Sequence, residues 1–165
     1  MAAAHAARMV SREIIVSPVS GQVLALEAVG DPMFSAGFMG DGAAVLPDND
    51  EVLSPCDGVV AATFPTAHAY GLRTAEGADV LLHLGLDTVK LDGHFIAAYV
   101  RKGQQVSKGE PVARVQWNQI AAYGCRAIVI VAVTNSSAYA SVRRCCRGHV
   151  TAGAPLLTLQ PPDDK

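Results

Sequence analysis

Two of the five histidines, His68 and His83, flank a single turn signal in the stretch HAYGLRTAEGADVLLHLGLDTV, residues 68–89. An imidazole exchanges its proton near neutral pH, and its neutral ring nitrogen is a nucleophile or a metal ligand. Two such rings facing one another could carry out nucleophilic group transfer, or hold zinc if a third ligand arrived from outside. Thr66, two residues before His68, falls on the same strand face and can orient that ring by a hydrogen bond. Gly85, two residues after His83, weakens a strand but lets another backbone or ligand come close, which suits a docking surface.

Whether the rings meet depends on the elements that carry them. The turn signal AEG, residues 75–77, sits between β-rich runs, so the stretch reads as two antiparallel strands joined by a short loop. A loop symmetric about Ala75 and Glu76 pairs 74 with 77 and 73 with 78, and so places His68 directly opposite His83. Opposed residues share a face, whereas a slip of one residue sends the rings to opposite faces.

The rest of the chain repeats this texture. Runs such as IIVSPVSGQVLAL, GAAVLP, EVLSPCDGVVAATF, QQVSKGEPVARV, AIVIVAV and HVTAGAPLLTL alternate with Gly, Pro and Asp punctuation. That pattern predicts an all-β sandwich or barrel. Helix is confined to short turns, in DPMFSAGFM after the start of Asp31 and in WNQIAAYG at 117–124. IIVSPVSGQVLAL at 14–26 and EVLSPCDGVVAAT at 51–63 share an apolar pair, SP, a residue pair, Gly and an apolar strand. The segments at 100–115 and 146–159 echo each other in the same way, and the repetition predicts a duplicated antiparallel sandwich. The expected organisation is a tail over residues 1–12, one domain over 13–160 and a second tail over 161–165.

Composition removes several functions. With a net charge of −2, a pI near 6.2 and no basic block beyond VRRCCRGH at 142–149, nucleic acid is a poor partner. AIVIVAV is far shorter than the ~20 residues a membrane helix needs, and the Ala-rich start lacks a signal-peptide core. A cytoplasmic protein without membrane insertion is expected. Cys56, Cys125, Cys145 and Cys146 show no CxxC spacing and read as free thiols in a reducing compartment. His5, His94 and His149 read as surface or structural residues.

At GADVLLHLGLDTV, residues 77–89, the chain resembles the phosphohistidine motif of the glucose-type enzyme IIA proteins of the bacterial sugar phosphotransferase system. FPTAHAY at 64–70 is similar to the second-histidine segment of that family, and SPVSGQV, GDGAAVLP, SPCDGVV and GQQV…GEPV follow in the family's order. The resemblance implies a duplicated β-sandwich with short helical turns, the duplicated hybrid motif. It also implies that His83 accepts a phosphoryl group from phospho-HPr and passes it to the IIB domain of a glucose- or N-acetylglucosamine-type permease during sugar uptake. By the same resemblance His68 stabilises the phosphoryl group, Thr66 orients His68, and Asp87 and Asp31 are acids near the site. Met33, Phe34, Phe38, Met39, Phe64 and Tyr70 correspond to an apolar docking collar, although Phe34 and Phe38, four apart, could equally share a helical face and pack in the core. No cofactor is obligatory, because HPr brings phosphoryl already bound to protein.

Other readings stay open at this point. One is a regulatory module that reports sugar flux by binding metabolic enzymes or transporters. A second is a zinc peptidase of the lysostaphin type, since His83 and Asp87 form an HxxxD pair; it lacks a downstream HxH, because His94 and His149 are isolated. A third is a biotinyl or lipoyl carrier, although Lys102 and Lys108 lie beside Gly in turns that recur without Lys. Zinc held by His68 and His83 with a partner's carboxylate is a further expectation.

Overall fold

The apolar runs become fourteen short strands in the computed structural model, which describes residues 11–163. In chain order they are β1 (Glu13–Val16), β2 (Gly21–Ala25), β3 (Asp41–Pro47), β4 (Glu51–Leu53), β5 (Gly58–Thr63), β6 (Ala69–Thr74) and β7 (Asp79–Leu86). There follow β8 (Ile96–Ala98), β9 (Gln105–Val106), β10 (Pro111–Val115), β11 (Arg126–Val133), β12 (Ser141–Arg144), β13 (His149–Val150) and β14 (Pro155–Gln160). Among the described residues, α-helix is limited to α1 (Pro32–Ser35) and α2 (Trp117–Ala122), both inside the stretches expected from sequence. The expected tail at 1–12 is described only at Ser11 and Arg12, and His5 lies outside the described residues.

Every ladder is antiparallel. One sheet has eight strands in the order β13-β2-β3-β11-β7-β6-β5-β9, and two three-stranded sheets, β1-β14-β12 and β4-β10-β8, complete the sandwich. The orders are those of a duplicated unit related by a pseudo-two-fold between β11 and β7. The two SP turns show it in hydrogen bonds. Ser17 Oγ donates to the Val19 carbonyl at 2.6 Å and Ser54 Oγ to the Cys56 carbonyl at 2.7 Å. Across the axis the Val16 amide donates to the Pro55 carbonyl, and the Leu53 amide to the Pro18 carbonyl.

Alternation along the central strands divides the interior in two. Val80, Leu82 and Leu84 of β7 join Val129, Val131 and Val133 of β11 in the main core, while Ile128, Ile130 and Ala132 pack on the other face with Leu26, Val29 and Phe34. Both faces of β11 are covered, which is why its sequence is an unbroken apolar run. The smaller cluster is roofed by the segment from Leu26 through α1, and it is on this outer face that His83 emerges.

The hairpin differs from its sequence-based register. Arg73 pairs with Asp79 and Ala69 with His83, so the expected His68–His83 pair is displaced by one residue. The loop has three residues rather than two: the Gly77 amide donates to the Thr74 carbonyl, the Thr74 amide to the Ala78 carbonyl, and Gly77 adopts φ 106°. A positive-φ glycine closing a three-residue hairpin loop adds one residue to one strand and moves the register accordingly.

Candidate functional site

His83 sits near the middle of β7, between Ala69 of β6 and Ile130 of β11, so its Cα is held from both sides. Its ring leaves the sheet on the outer face and meets Phe34 edge-on, with centroids 5.2 Å apart. Immediately beyond it Gly85 takes φ 79°, a left-handed conformation that L side chains rarely adopt, and a Cβ there would lie 2.4 Å from Thr88 Cγ2. This turn brings the Gly85 carbonyl back to the ring, where His83 Nδ1–H donates to it at 2.7 Å. A carbonyl can only accept, so Nδ1 carries the proton and Nε2 keeps its lone pair. Gly85 is itself buried. Its contribution is this carbonyl, not the open docking space expected of it.

The slipped register should have turned His68 away, and a local kink brings it back. His68 precedes β6, behind a turn in which the Ala67 amide donates to the Phe64 carbonyl, and Ala67 has φ 57°. The His68 carbonyl accepts from the Leu84 amide at 2.7 Å, which fastens this turn to β7. The result is a T-shaped pair of imidazoles with centroids 5.2 Å apart and planes at 82°. Thr66 Oγ1 lies 2.5 Å from His68 Nδ1, as expected from sequence, and leaves Nε2 as the unbound ring nitrogen. Burial lowers the pKa of both rings below the ordinary imidazole value of 6.5, and for His83 the neighbouring His68 lowers it further. Both rings are therefore neutral at pH 7.

They open into a cavity of about 320 Å³ whose lining includes Asp31, Met33, Phe34, Met39, Phe64 and Asp87. A larger groove of about 730 Å³ lies at the β5–β9 edge, bounded by Asp57, Arg73 and Gln105, with no histidine in its lining. Asp31 caps α1, its Oδ1 accepting from the Met33 amide at 2.9 Å, and its charge acts on His83 in the direction that favours a cationic ring. Asp87, in a left-handed conformation at φ 65°, is exposed and lies 3.9 Å from Lys90 Nζ.

The six collar residues expected from sequence separate. Met33, Phe38 and Phe64 are 52%, 73% and 47% exposed, and Met39 is partly buried. Phe34, at 5%, packs in the outer cluster and touches His83 from beneath. Tyr70, at 1%, pairs with Leu82 on the inner face and belongs to the main core, where burial pushes its hydroxyl up to about 12. Tyr70 is thus no part of a docking surface, because side chains one residue apart on a strand face opposite ways. Phe34 and Phe38 do not share a helical face, since α1 ends at Ser35 and Gly37, at φ 80°, redirects the chain.

Residues 13–139 match the family described as phosphoenolpyruvate-dependent sugar phosphotransferase system, EIIA 1. The chain belongs to that family. The EIIA chain is 46% identical over 129 residues to a beta-glucoside-specific EIIBCA component of the phosphotransferase system of Bacillus subtilis, covering 78% of this chain and 21% of that one. It is 43% identical over 148 residues to a glucose-specific EIICBA component of Streptococcus pneumoniae, covering 90% and 20%. The chain therefore spans about a fifth of the length of the relatives it matches. A solved structure of glucose permease IIA from Mycoplasma capricolum superimposes with TM-score 0.79 at 29% identity, over 90% of this chain and 96% of that one. These matches place the chain in the EIIA 1 family of the sugar phosphotransferase system, with the β-sandwich fold of a glucose permease IIA.

Membership of the EIIA 1 family removes the zinc-peptidase and the biotinyl or lipoyl carrier readings. His149, bound to Asp48 at 2.6 Å, and His94, beside Phe95, both lie outside the lining of the cavity that holds His68 and His83. The Lys108 ammonium donates to the Ile14 carbonyl at 3.3 Å. Among the described residues no group of three His, Cys, Asp or Glu side chains could hold a metal, and no helix is long and apolar enough to cross a membrane. Sequence reasoning missed Val89, 52% exposed on the cavity rim, and Thr88, fully buried behind Gly85. Both lie inside the stretch GADVLLHLGLDTV and were given no role of their own there.

Proposed function

We propose that this EIIA chain accepts a phosphoryl group from phospho-HPr on Nε2 of His83 and delivers it to the IIB domain of a sugar permease. The observation that carries the proposal is the bond from His83 Nδ1–H to the Gly85 carbonyl, which leaves Nε2 as the nucleophilic atom beside an open cavity. The Nε2 lone pair attacks phosphorus as the phosphorus–nitrogen bond in HPr breaks, and the departing electron pair stays on the HPr imidazole. Positive charge then builds on the His83 ring. The Gly85 carbonyl and the Asp31 carboxylate both favour a charged ring, so they stabilise the phosphorylated form as well. His68, oriented through Nδ1 by Thr66, donates from Nε2–H to the phosphoryl oxygens in the transition state. Transfer to IIB reverses the same bonds, and the exposed Met33, Phe38 and Phe64 offer each partner an apolar landing around the reacting nitrogen.

The matched relatives carry EIIB and EIIC designations beside EIIA in their names, which supports a IIB partner. HPr as donor, the cytoplasm as compartment, and a beta-glucoside, glucose or related sugar as cargo belong to the proposal. Intact-mass analysis after incubation with phosphoenolpyruvate, enzyme I and HPr tests it. One acid-labile phosphoryl addition is expected, lost in His83→Gln; in His68→Gln it is retained but passed to IIB about a hundredfold more slowly. An addition that survives in His83→Gln overturns the assignment. Acceptance without transfer to any IIB domain favours a regulatory module instead. Zinc could use His68 and His83 only with a third ligand from a docked partner, and equilibrium dialysis with no uptake, alone or in complex, removes that role.

A further inference from the structure

We infer that Thr88 is a positioning residue for phosphoryl transfer, holding the Leu84–Gly85 peptide so that the Gly85 carbonyl faces His83 Nδ1. The inference rests on His83 being the acceptor. Thr88 is fully buried under the floor of the cavity that holds the two rings, and its two branches act on successive residues of that peptide. Its hydroxyl donates to the Leu84 carbonyl at 2.6 Å. Its methyl occupies the space over Gly85 where a Cβ would otherwise stand, 2.4 Å from that position. The amide of the same Leu84 donates to the His68 carbonyl at 2.7 Å. Leu84 is thus bonded on one side to the turn bearing His68 and on the other to Thr88, and Gly85, at φ 79°, has its carbonyl on the ring.

A left-handed glycine is conformationally permissive, and nothing in its own backbone keeps its carbonyl at one angle. Without the Thr88 hydroxyl, the Leu84 carbonyl loses its buried partner and the following peptide can rotate. The Gly85 oxygen then leaves Nδ1, and the ring is free to take the tautomer with its proton on Nε2, which cannot attack phosphorus. Thr88 therefore acts on the nucleophile through its proton and not through contact with the phosphoryl group.

The test is ¹⁵N spectroscopy of histidine-labelled protein without phosphoryl donor, joined to phosphoryl-acceptance rates from phospho-HPr. In the wild type His83 is expected as the single Nδ1–H tautomer, with a slowly exchanging Thr88 hydroxyl proton. Thr88→Val keeps the shape but not the donor; it is expected to mix the two tautomers and to slow acceptance about tenfold. Thr88→Ser keeps the donor and is expected to hold the wild-type tautomer, with acceptance within about twofold. A single Nδ1–H tautomer in Thr88→Val, or equal losses in the Ser and Val variants, overturns the inference. Should the Val variant fail to fold, an Nε2–H tautomer or a rapidly exchanging Thr88 hydroxyl in the wild type overturns it alone. Because the tautomer is read without phosphoryl transfer, failure of His83 as acceptor shows separately, as a label persisting in His83→Gln.

Discussion

The proposed role of His83 requires a neutral ring, and burial and the neighbouring His68 both disfavour its charged form. The same desolvation has a stability consequence. In the unfolded chain the imidazoles of His68 and His83 protonate near 6.5, whereas in the folded protein both do so only at lower pH. Between those lowered values and 6.5 the unfolded state binds more protons, so acid favours unfolding and stability rises with pH. Above about 6.5 the contribution is complete and the dependence flattens. Urea midpoints are expected to climb from pH 5 to 6.5, and the climb should weaken in a His68→Gln, His83→Gln double variant; an unchanged slope would locate the titration elsewhere. The tautomer belongs to this scale as well, since it depends on the direction of one glycine carbonyl.

At the scale of the element, the segment from Leu26 through α1 to Met39 has two functions divided between residues four apart. Phe34 closes the outer cluster against Ile128 and Ile130 and supports the His83 ring from below. Phe38 is 73% exposed and belongs to neither apolar cluster of the described residues. Phe34→Ala should therefore cost about 3–5 kcal/mol of stability, as buried aromatic deletions do. Phe38→Ala should leave stability within about 0.5 kcal/mol, as surface changes do, and should instead raise the KM for phospho-HPr or IIB. Thermal melts joined to transfer kinetics separate the two. Equal loss of stability in both variants would mean that Phe38 packs, and the collar would then shrink to Met33, Phe64 and Val89.

Across the whole molecule, duplication supplies the frame and one copy carries the histidine pair. The two histidines belong to β6–β7 and the turn before it, whereas β3 and β11, their counterparts across the pseudo-two-fold, carry none. The frame itself is symmetric down to individual hydroxyls. Ser17 and Ser54 are both fully buried and each donates to the carbonyl two residues on. Ser17→Ala and Ser54→Ala should each cost about 1–3 kcal/mol by leaving a buried carbonyl unpaired. The two costs should agree within about 0.5 kcal/mol and add in the double variant if the sites are independent. Unequal costs by denaturant titration would show that the copies have diverged in packing despite their shared turn.

Strand positions, the duplicated turns, the two short helices and the identity of the paired histidines were all legible in the residues, because side-chain alternation, SP and Gly punctuation and HLGLD act locally. Thr66 as the partner of His68 was legible for the same reason, lying only two residues away. The register was not. Gly77 closes a three-residue loop instead of a two-residue one, and a single left-handed residue in a turn leaves little trace in composition. That slip alone would have separated the rings; the kink at Ala67 and the bond from the Leu84 amide to the His68 carbonyl bring them together again. Burial was likewise decided only by tertiary structure, which sends Tyr70 into the main core, Phe34 under the site and Phe38 into solvent. The sequence determined which residues could do the chemistry, because that follows from side-chain type and spacing. Which nitrogen is free, and what surrounds it, was decided by contacts between segments far apart in the chain, because a carbonyl's direction and a face's burial depend on what packs against them.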